Sequence, residues 1–415
     1  MINNPMEMFW GKLNPEELMN KYGSPLYIYN EQIIRERCRE IRNLLSYPWF
    51  QVNYSAKANS NLELLRIIKE EGINADAVST GEIYLLLKAG FEPAQILFIA
   101  NNVSADEMKY AVDQGITVSL DSLSQLATFG QVNPGGRVSV RFNPGVGAGH
   151  HEKVTTGGMN TKFGVDAELV AEVKEIAAEY ALKIVGVNQH IGSLFLDGEP
   201  YMAGVKALLK IAVDFPDLEF IDFGGGFGIP YHRFAGEERL DLPALAAELQ
   251  EILPEWRRNY GREITVKIEP GRYLVAESGV LLGRTLTVKQ NHTRKYVGTD
   301  IGFNVLMRPV LYDSYHEITA FRQGVSLSDD QQETVTIVGN ICESGDILGR
   351  ERSLPPLKVG DVLAVWDAGA YGYAMSSNYN LRLRPAEVLI TTDGEDKLIR
   401  KRDTFEDLLR NFPTL

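Results

Sequence analysis

At 415 residues the chain is longer than one ordinary domain, so two domains with a sizeable buried core are expected. Acidic residues outnumber basic ones 55 to 42, giving a formal charge of −13, and no Lys/Arg block suits a phosphate backbone, which excludes nucleic acid as a partner. Two cysteines, Cys38 and Cys342, exclude a disulfide framework and lack the spacing of a structural zinc site, while no apolar run is long enough to span a bilayer.

The opening stretch, Met1 to Leu13, mixes Asn, Pro, Glu and Lys without an apolar centre, so a soluble, unprocessed protein of the reducing cytoplasm is expected. Leu26–Asn30 then reads as a strand ahead of the first long helix, placed to pair with sheet from the C-terminal part. From about Trp49 to Glu269, short β-rich runs alternate with segments of helical period. The runs are Phe50–Ser55, Ile73–Val78, Gln95–Ala100, Ile116–Leu120, Arg137–Phe142, Ile184–Gln189, Leu218–Phe223 and Ile264–Ile268. Eight strands with intervening helices predict a closed (β/α)8 TIM-type barrel rather than an open sheet. Among the helices, Asn61–Glu71 carries Leu62, Leu64, Leu65, Ile67 and Ile68 on a broad apolar face, and Asp241–Tyr260 does the same with Leu and Ala.

After Gly279 the pattern changes to β runs such as Val280–Val288, Glu333–Ile341, Asp361–Trp366 and Glu387–Ile390, separated by turns. The expected division is therefore a barrel over residues 36–279 and a mostly β domain made of residues 1–35 and 280–415.

A barrel of this type carries its active site where the strands end at their C-terminal face. Run one ends in Tyr54-Ser55-Ala56-Lys57-Ala58-Asn59, run two in Asp76-Ala77-Val78-Ser79, and run six in His190-Ile191-Gly192-Ser193. Run seven ends in Gly224-Gly225-Gly226-Phe227-Gly228 and run eight in Glu269-Pro270-Gly271-Arg272. A lysine is usually a solvated surface residue, but one among small residues at a strand end suits a covalent imine, which needs a partly dehydrated amine. The glycine loop exposes backbone N–H groups to a phosphate, although such a run is often just a tight turn. Ser193 could add a hydroxyl to that phosphate. His190 could lie against an aromatic ring or be a satisfied core histidine. Glu269 could be an ordinary ion-pair partner, or could keep a pyridine nitrogen protonated. Jointly, these residues form the set that pyridoxal 5′-phosphate requires.

With these residues in view the chain resembles the fold-type III pyridoxal-phosphate decarboxylases, the group related to alanine racemase and ornithine decarboxylase, and within it the diaminopimelate decarboxylase family. The resemblance rests on Tyr54–Asn61, His190–Ser193, Gly224–Gly228, Glu269–Arg272, Met307-Arg308-Pro309-Val310-Leu311-Tyr312, Cys342-Glu343-Ser344-Gly345-Asp346 and Gly369-Ala370-Tyr371-Gly372. It implies that Lys57 holds the cofactor covalently, His190 stacks on its ring and Glu269 binds the ring nitrogen. It places Ser193, Gly226, Gly271, Arg272 and Tyr371 around the phosphate, with Asp76 and Gly225 among the cofactor-binding residues. Arg308 and Tyr312 would take a distal substrate carboxylate, joined by Arg272 and Tyr371 toward substrate, and Glu343 would take the distal ammonium. A guanidinium suits a carboxylate because it offers paired donors. Cys342 would act from a neighbouring subunit as proton donor to Cα, against the plainer reading of a buried structural thiol.

The implied activity is decarboxylation of meso-2,6-diaminopimelate to L-lysine and CO₂ by a homodimer with shared sites, with no metal and no membrane partner. Same-fold alternatives are decarboxylation of ornithine, lysine, carboxynorspermidine or a carrier-bound amino acid, a non-catalytic cofactor carrier, and an amino acid racemase. The remote Arg308 and Glu343 disfavour a plain diamine precursor, the second domain disfavours the carrier, and Glu269 disfavours the racemase. Departures from the family pattern fall in Gly147-Ala148-Gly149-His150-His151, in Thr155–Gly164, and at Leu381, where serine is common.

Overall fold

Short apolar runs buried on both faces leave little choice but a parallel sheet covered by helices. The computed structural model, which describes residues 5–99, 101–145, 147, 157–158, 161–327 and 331–413, has that sheet closed on itself. Its eight barrel strands are Phe50–Ser55, Asn74–Ala77, Ile96–Ile99, Thr117–Leu120, Arg137–Asn143, Lys183–Asn188, Phe220–Asp222 and Thr265–Ile268. Each pairs in parallel with its sequence neighbours, and Val266 opposite Phe50 closes the ring between the last strand and the first. The eight predicted runs are these strands, differing by a residue or two at their ends; Ala100, the last residue of the third run, lies outside the described residues.

Polar residues knit the barrel across as well as around. Ser119 Oγ on the fourth strand donates to Asn188 Oδ1 on the sixth at 2.6 Å, both side chains fully buried. The surrounding helices start on side-chain caps that satisfy the first orphan N–H groups: Asn61 accepts from Glu63 N, Ser79 from Glu82 N, and Asp241 from Ala244 N. The expected helices therefore run Leu62–Glu70 and Leu242–Tyr260, with Asn61 and Asp241 as caps.

The chain divides into two compact units, one of residues 35–230 and 238–274, which holds the barrel, the other of residues 1–34, 231–237 and 275–415. In the second unit Leu26–Asn30 is an inner strand, antiparallel to Gly279–Asn291 on one side and parallel to Ala386–Ile390 on the other. Further strands not read from the sequence are Arg294–Thr299, Ile318–Arg322, Val325–Ser326, Ile347–Leu354 and Asp396–Arg400. One face of the sheet packs Ile28, Val280, Leu282, Val362, Ala364 and Val388 against Phe9, Trp10 and Trp366. The Phe9 and Trp366 rings meet edge to face at 5.3 Å. Among the described residues no helix is long and apolar enough to cross a membrane.

Because Ile28 is fully buried between the strands of Val280 and Val388, cutting it to alanine opens a cavity in that core. Ile28→Ala is expected to lower unfolding free energy by about 2–5 kcal/mol, read from the shift of the urea midpoint at constant m-value.

Candidate active site

Each barrel strand delivers its last residues to one end of the barrel, and there the unusual side chains collect. Lys57 stands in a tight 3₁₀ turn, Ala56–Ala58, directly after the first strand. The turn is closed by Tyr54, whose hydroxyl donates to the Asn59 carbonyl at 2.9 Å. Ser55 Oγ donates to Asp76 Oδ2 at 2.6 Å and lies 3.1 Å from the Glu269 carbonyl, so strands one, two and eight are tied at their ends.

The glycines after strand seven are set by steric exclusion. A Cβ on Gly224, where φ is +74°, would stand 2.1 Å from the Gln189 carbonyl oxygen, and one on Gly225 would stand 2.0 Å from that of Glu269. No side chain fits where three strand ends approach so closely. The bare backbone that results serves two neighbours: Gly224 O accepts from Glu269 N at 2.9 Å, and Gly225 N donates to His190 Nδ1 at 3.1 Å. Gly226, with φ +105°, has a Cβ position 2.4 Å from the Gly192 carbonyl oxygen, and that of Gly271 lies 2.9 Å from Ser55 Cβ. Arg272 Nη2 donates to Ser193 Oγ at 2.9 Å, joining the ends of strands eight and six.

Burial governs the charges here. Glu269 is 3% exposed, beside the Asp222 carboxyl, and among the described residues its enclosed Oε1 meets no hydrogen-bond donor. Loss of water, then the negative charges of Asp222 and Asp76, hold its carboxyl well above the usual range, while Lys57 pulls it down. Asp222 is raised for the same first reason, although Gly224 N donates to its Oδ1 at 2.9 Å. Asp76 is pushed up to about 7 by burial, against the opposing charge of Lys57 and the Ser55 hydroxyl. His190 moves the other way: burial, then the cations Lys57 and Arg141, hold its imidazole well below the ordinary value.

Lys57, Asp76, His190, Ser193, Gly225, Gly226, Glu269, Gly271 and Arg272 thus meet at one barrel mouth. Sequence reading missed Arg141, Asp121 and Asp222 beside them. Arg141 is a buried cation at the end of the fifth strand, 4.7 Å over the Phe163 ring, and its charge acts on both His190 and Asp121. An arginine one step from the end of the run Arg137–Phe142, where neighbouring strands end in core residues, was the available signal. Of the atypical stretches, residues 148–156, 159 and 160 lie outside the described residues.

The remaining candidates belong to the second unit. Arg308, 1% exposed, opens the short helix Arg308–Tyr312, with Tyr312 half-buried at its end. Cys342 and Glu343 are exposed on a loop whose shape Asp346 dictates, its two carboxylate oxygens accepting from Phe303 N and Ile341 N, each at 2.7 Å. From the other side Asn380 Oδ1 accepts from Cys342 N and the Tyr379 hydroxyl donates to Glu343 Oε1, both at 2.9 Å. Tyr371 sits at φ +56° in the turn after Gly369, a glycine whose Cβ would stand 1.9 Å from the Val275 carbonyl oxygen.

Comparison with known proteins agrees with this geometry. The family described as pyridoxal-dependent decarboxylase, pyridoxal binding domain, matches residues 31–276. Diaminopimelate decarboxylase of Methanothermobacter thermautotrophicus is 44% identical over 418 residues, covering 99% of this chain and 96% of that protein. That of Escherichia coli K12 is 38% identical over 402 residues, with 94% of each covered. The crystal structure of the Helicobacter pylori diaminopimelate decarboxylase, complexed with L-lysine, superimposes with a TM-score of 0.87 at 34% identity, covering 96% of this chain and 98% of that one.

Since Gly225 N can only donate, His190 Nδ1 must accept, and the ring proton is on Nε2. With burial holding the imidazole neutral, ¹⁵N spectra of histidine-labelled protein, assigned with His190→Gln, are expected to show that tautomer unchanged between about pH 6 and pH 9. A titration midpoint inside that window would contradict the assignment.

Proposed function

Because this chain belongs to the pyridoxal-dependent decarboxylases, and over its full length to their diaminopimelate decarboxylase branch, we propose that it converts meso-2,6-diaminopimelate to L-lysine and CO₂ with pyridoxal 5′-phosphate as cofactor. The observation that carries the reading is the donor set of the barrel mouth, which fits that cofactor group by group. Lys57 offers an amine, and the orphaned Oε1 of Glu269 offers a buried acceptor for a ring N–H. The Arg272–Ser193 pair and the Cβ-free backbone of Gly225, Gly226 and Gly271 suit a phosphate. When bound, the cofactor supplies an electron-poor ring that accepts the electron pair of the Cα–carboxylate bond.

The chain's own residues then have these tasks. Lys57 would hold the cofactor through its amine and would release it to the substrate amine. Glu269 holds the proton of the ring nitrogen; its raised affinity for protons favours a shared N–H over a bare anion. His190, neutral and fixed by Gly225 N, covers a ring face without adding charge. Asp76 supports the Lys57 side of the mouth through its charge, and Tyr371 joins Ser193 and Arg272 at the phosphate. Arg308 and Tyr312 take the distal carboxylate, Arg272 and Tyr371 also face substrate, and Glu343 takes the distal ammonium. Cys342 delivers the proton that replaces CO₂ at Cα.

The assembly we propose is a cytoplasmic homodimer in which each site draws Lys57 from one chain and Cys342 with Glu343 from the other. Support comes from the exposure of both loop residues while Asp346, Asn380 and Tyr379 hold the loop in one shape, as suits presentation to another chain.

Purified protein given the cofactor and meso-diaminopimelate is expected to release CO₂ and L-lysine in equal amounts. Lys57→Ala should remove both products and the visible absorbance of the lysine-linked cofactor, with circular dichroism unchanged. Retention of band and turnover would take Lys57 out of the role. For the dimer, inactive Lys57→Ala and Cys342→Ala chains mixed under exchange conditions should regain roughly a quarter of wild-type activity, since roughly half the dimers are mixed and each of those has one whole site. No recovery despite demonstrated exchange would mean that one chain builds the whole site.

A further inference from the structure

Eight residues beyond Arg308 lies His316, fully buried and so far without a task. Its Nδ1 is 2.7 Å from the Trp366 carbonyl oxygen, and its Nε2 is 2.7 Å from Arg308 Nη1. A backbone carbonyl can only accept and a guanidinium can only donate. The single ring proton is therefore on Nδ1, and Nε2 turns its lone pair to Arg308. A doubly protonated ring would set one N–H donor against another, so this contact requires the neutral imidazole. The guanidinium also lies 4.5 Å over the ring of Tyr231, which meets the His316 ring edge to face at 5.3 Å. Trp366 in turn is anchored in the core: its amide donates to Glu317 O at 2.9 Å and its ring packs against Phe9 and Trp10.

We propose that His316 is a positioning residue for substrate selection: it transmits the rigidity of the Trp366 backbone to the Arg308 guanidinium and aims it at the distal carboxylate. This rests on the reading of Arg308 given above. A neutral acceptor is the suitable partner for that task. It fixes the plane of the guanidinium through one N–H and leaves the positive charge unneutralised by the contact, whereas a carboxylate at the same place would compete with the substrate's own. The consequence is discrimination between meso-diaminopimelate and the same chain lacking the distal carboxylate; since the product is L-lysine, the reacting centre of the meso substrate is the D one, and that analogue is D-lysine.

The test uses the cofactor-loaded enzyme and both substrates. His316→Asn keeps an amide donor near Nδ1 and removes the acceptor at Nε2; it should raise KM for meso-diaminopimelate about tenfold, leave kcat within about threefold, and lower the preference over D-lysine about tenfold. His316→Gln, which restores an acceptor toward Arg308, should recover most of that preference. Arg308→Ala separates the two levels of the argument. If it leaves the preference intact, the reading of Arg308 fails and the proposal with it. If Arg308→Ala abolishes the preference while folded His316→Asn retains wild-type KM and preference, or loses efficiency equally on both substrates, positioning by His316 is overturned alone. Should the variants not fold, ¹⁵N spectra of the wild type still decide: a proton on Nδ1 alone is expected, and one on Nε2 or on both nitrogens would overturn the proposal.

Discussion

Desolvation of charge at the open end of the barrel is the constraint from which the rest of the site follows. Asp76, Asp222 and Glu269 are three carboxyl groups almost wholly removed from water, with Arg141 buried beside Asp121 and His190. Taking such groups from water costs several kcal/mol each even after relaxation, so a barrel selected for stability alone would hold apolar side chains there. The strand ends instead approach until Gly224 and Gly225 admit no Cβ, which leaves Glu269 in a wall of backbone and keeps solvent from screening Lys57, Asp76 and Asp222. The raised proton affinity of Glu269 and the neutral state of His190 both follow from that dryness. The same environment that costs stability strengthens every polar contact made within it.

The second unit solves a different problem, that of holding a few polar side chains still on a β framework. Leu26–Asn30 contributes hydrogen bonds to both flanking strands and apolar contacts to the core, so an early strand and the late strands Ala386–Ile390 and Asp396–Arg400 are parts of one sheet. From that sheet the Cys342 loop is held by Asp346 beneath and by the Asn378–Arg382 turn beside it, where Asn380 and Leu381 both take left-handed backbone conformations. Strain in two consecutive non-glycine residues persists only where surrounding contacts over-determine it, and Asn380 Oδ1 and Arg382 Nη2 supply such contacts to Cys342 N and Asn340 O.

The barrel was legible because its short β-rich runs alternate with segments of helical period, and because function places most of its exceptional residues just past the strand ends. Tyr54–Asn59, Gly224–Gly228 and Glu269–Arg272 stand out for that reason. What was hidden lies inside elements. Arg141 and Asp222 belong to runs that read as core, and only the closure of the barrel brings them beside Glu269 and His190. In the second unit, Ile347–Leu354 escaped notice because its middle residues, Arg350 and Glu351, face water and Gly349 breaks the apolar alternation. Asp396–Arg400 is a sheet-edge strand of mostly polar residues, for which charge is protection against edge pairing rather than a sign of a loop. The tautomers of His190 and His316 follow only from partners that no spacing reveals.

The arginines of the second unit show why a histidine beside Arg308 is informative. Arg400 pairs with Glu387, Arg322 forms two bonds to Asp361, and Arg233 bonds to Glu277, each acceptor being a carboxylate that is itself buried. Those pairs satisfy charge with charge and tie strands or loops together. At Arg308 Nη1 the acceptor is an imidazole nitrogen, which fixes direction through a single lone pair and carries no opposing charge. The two kinds of partner answer to different demands, since a structural cation is best paired within the chain while a recognition cation must still gain by meeting an anion from outside. The barrel keeps its charges dry, while in the second unit a neutral acceptor fixes the direction of one guanidinium without adding an opposing charge of its own.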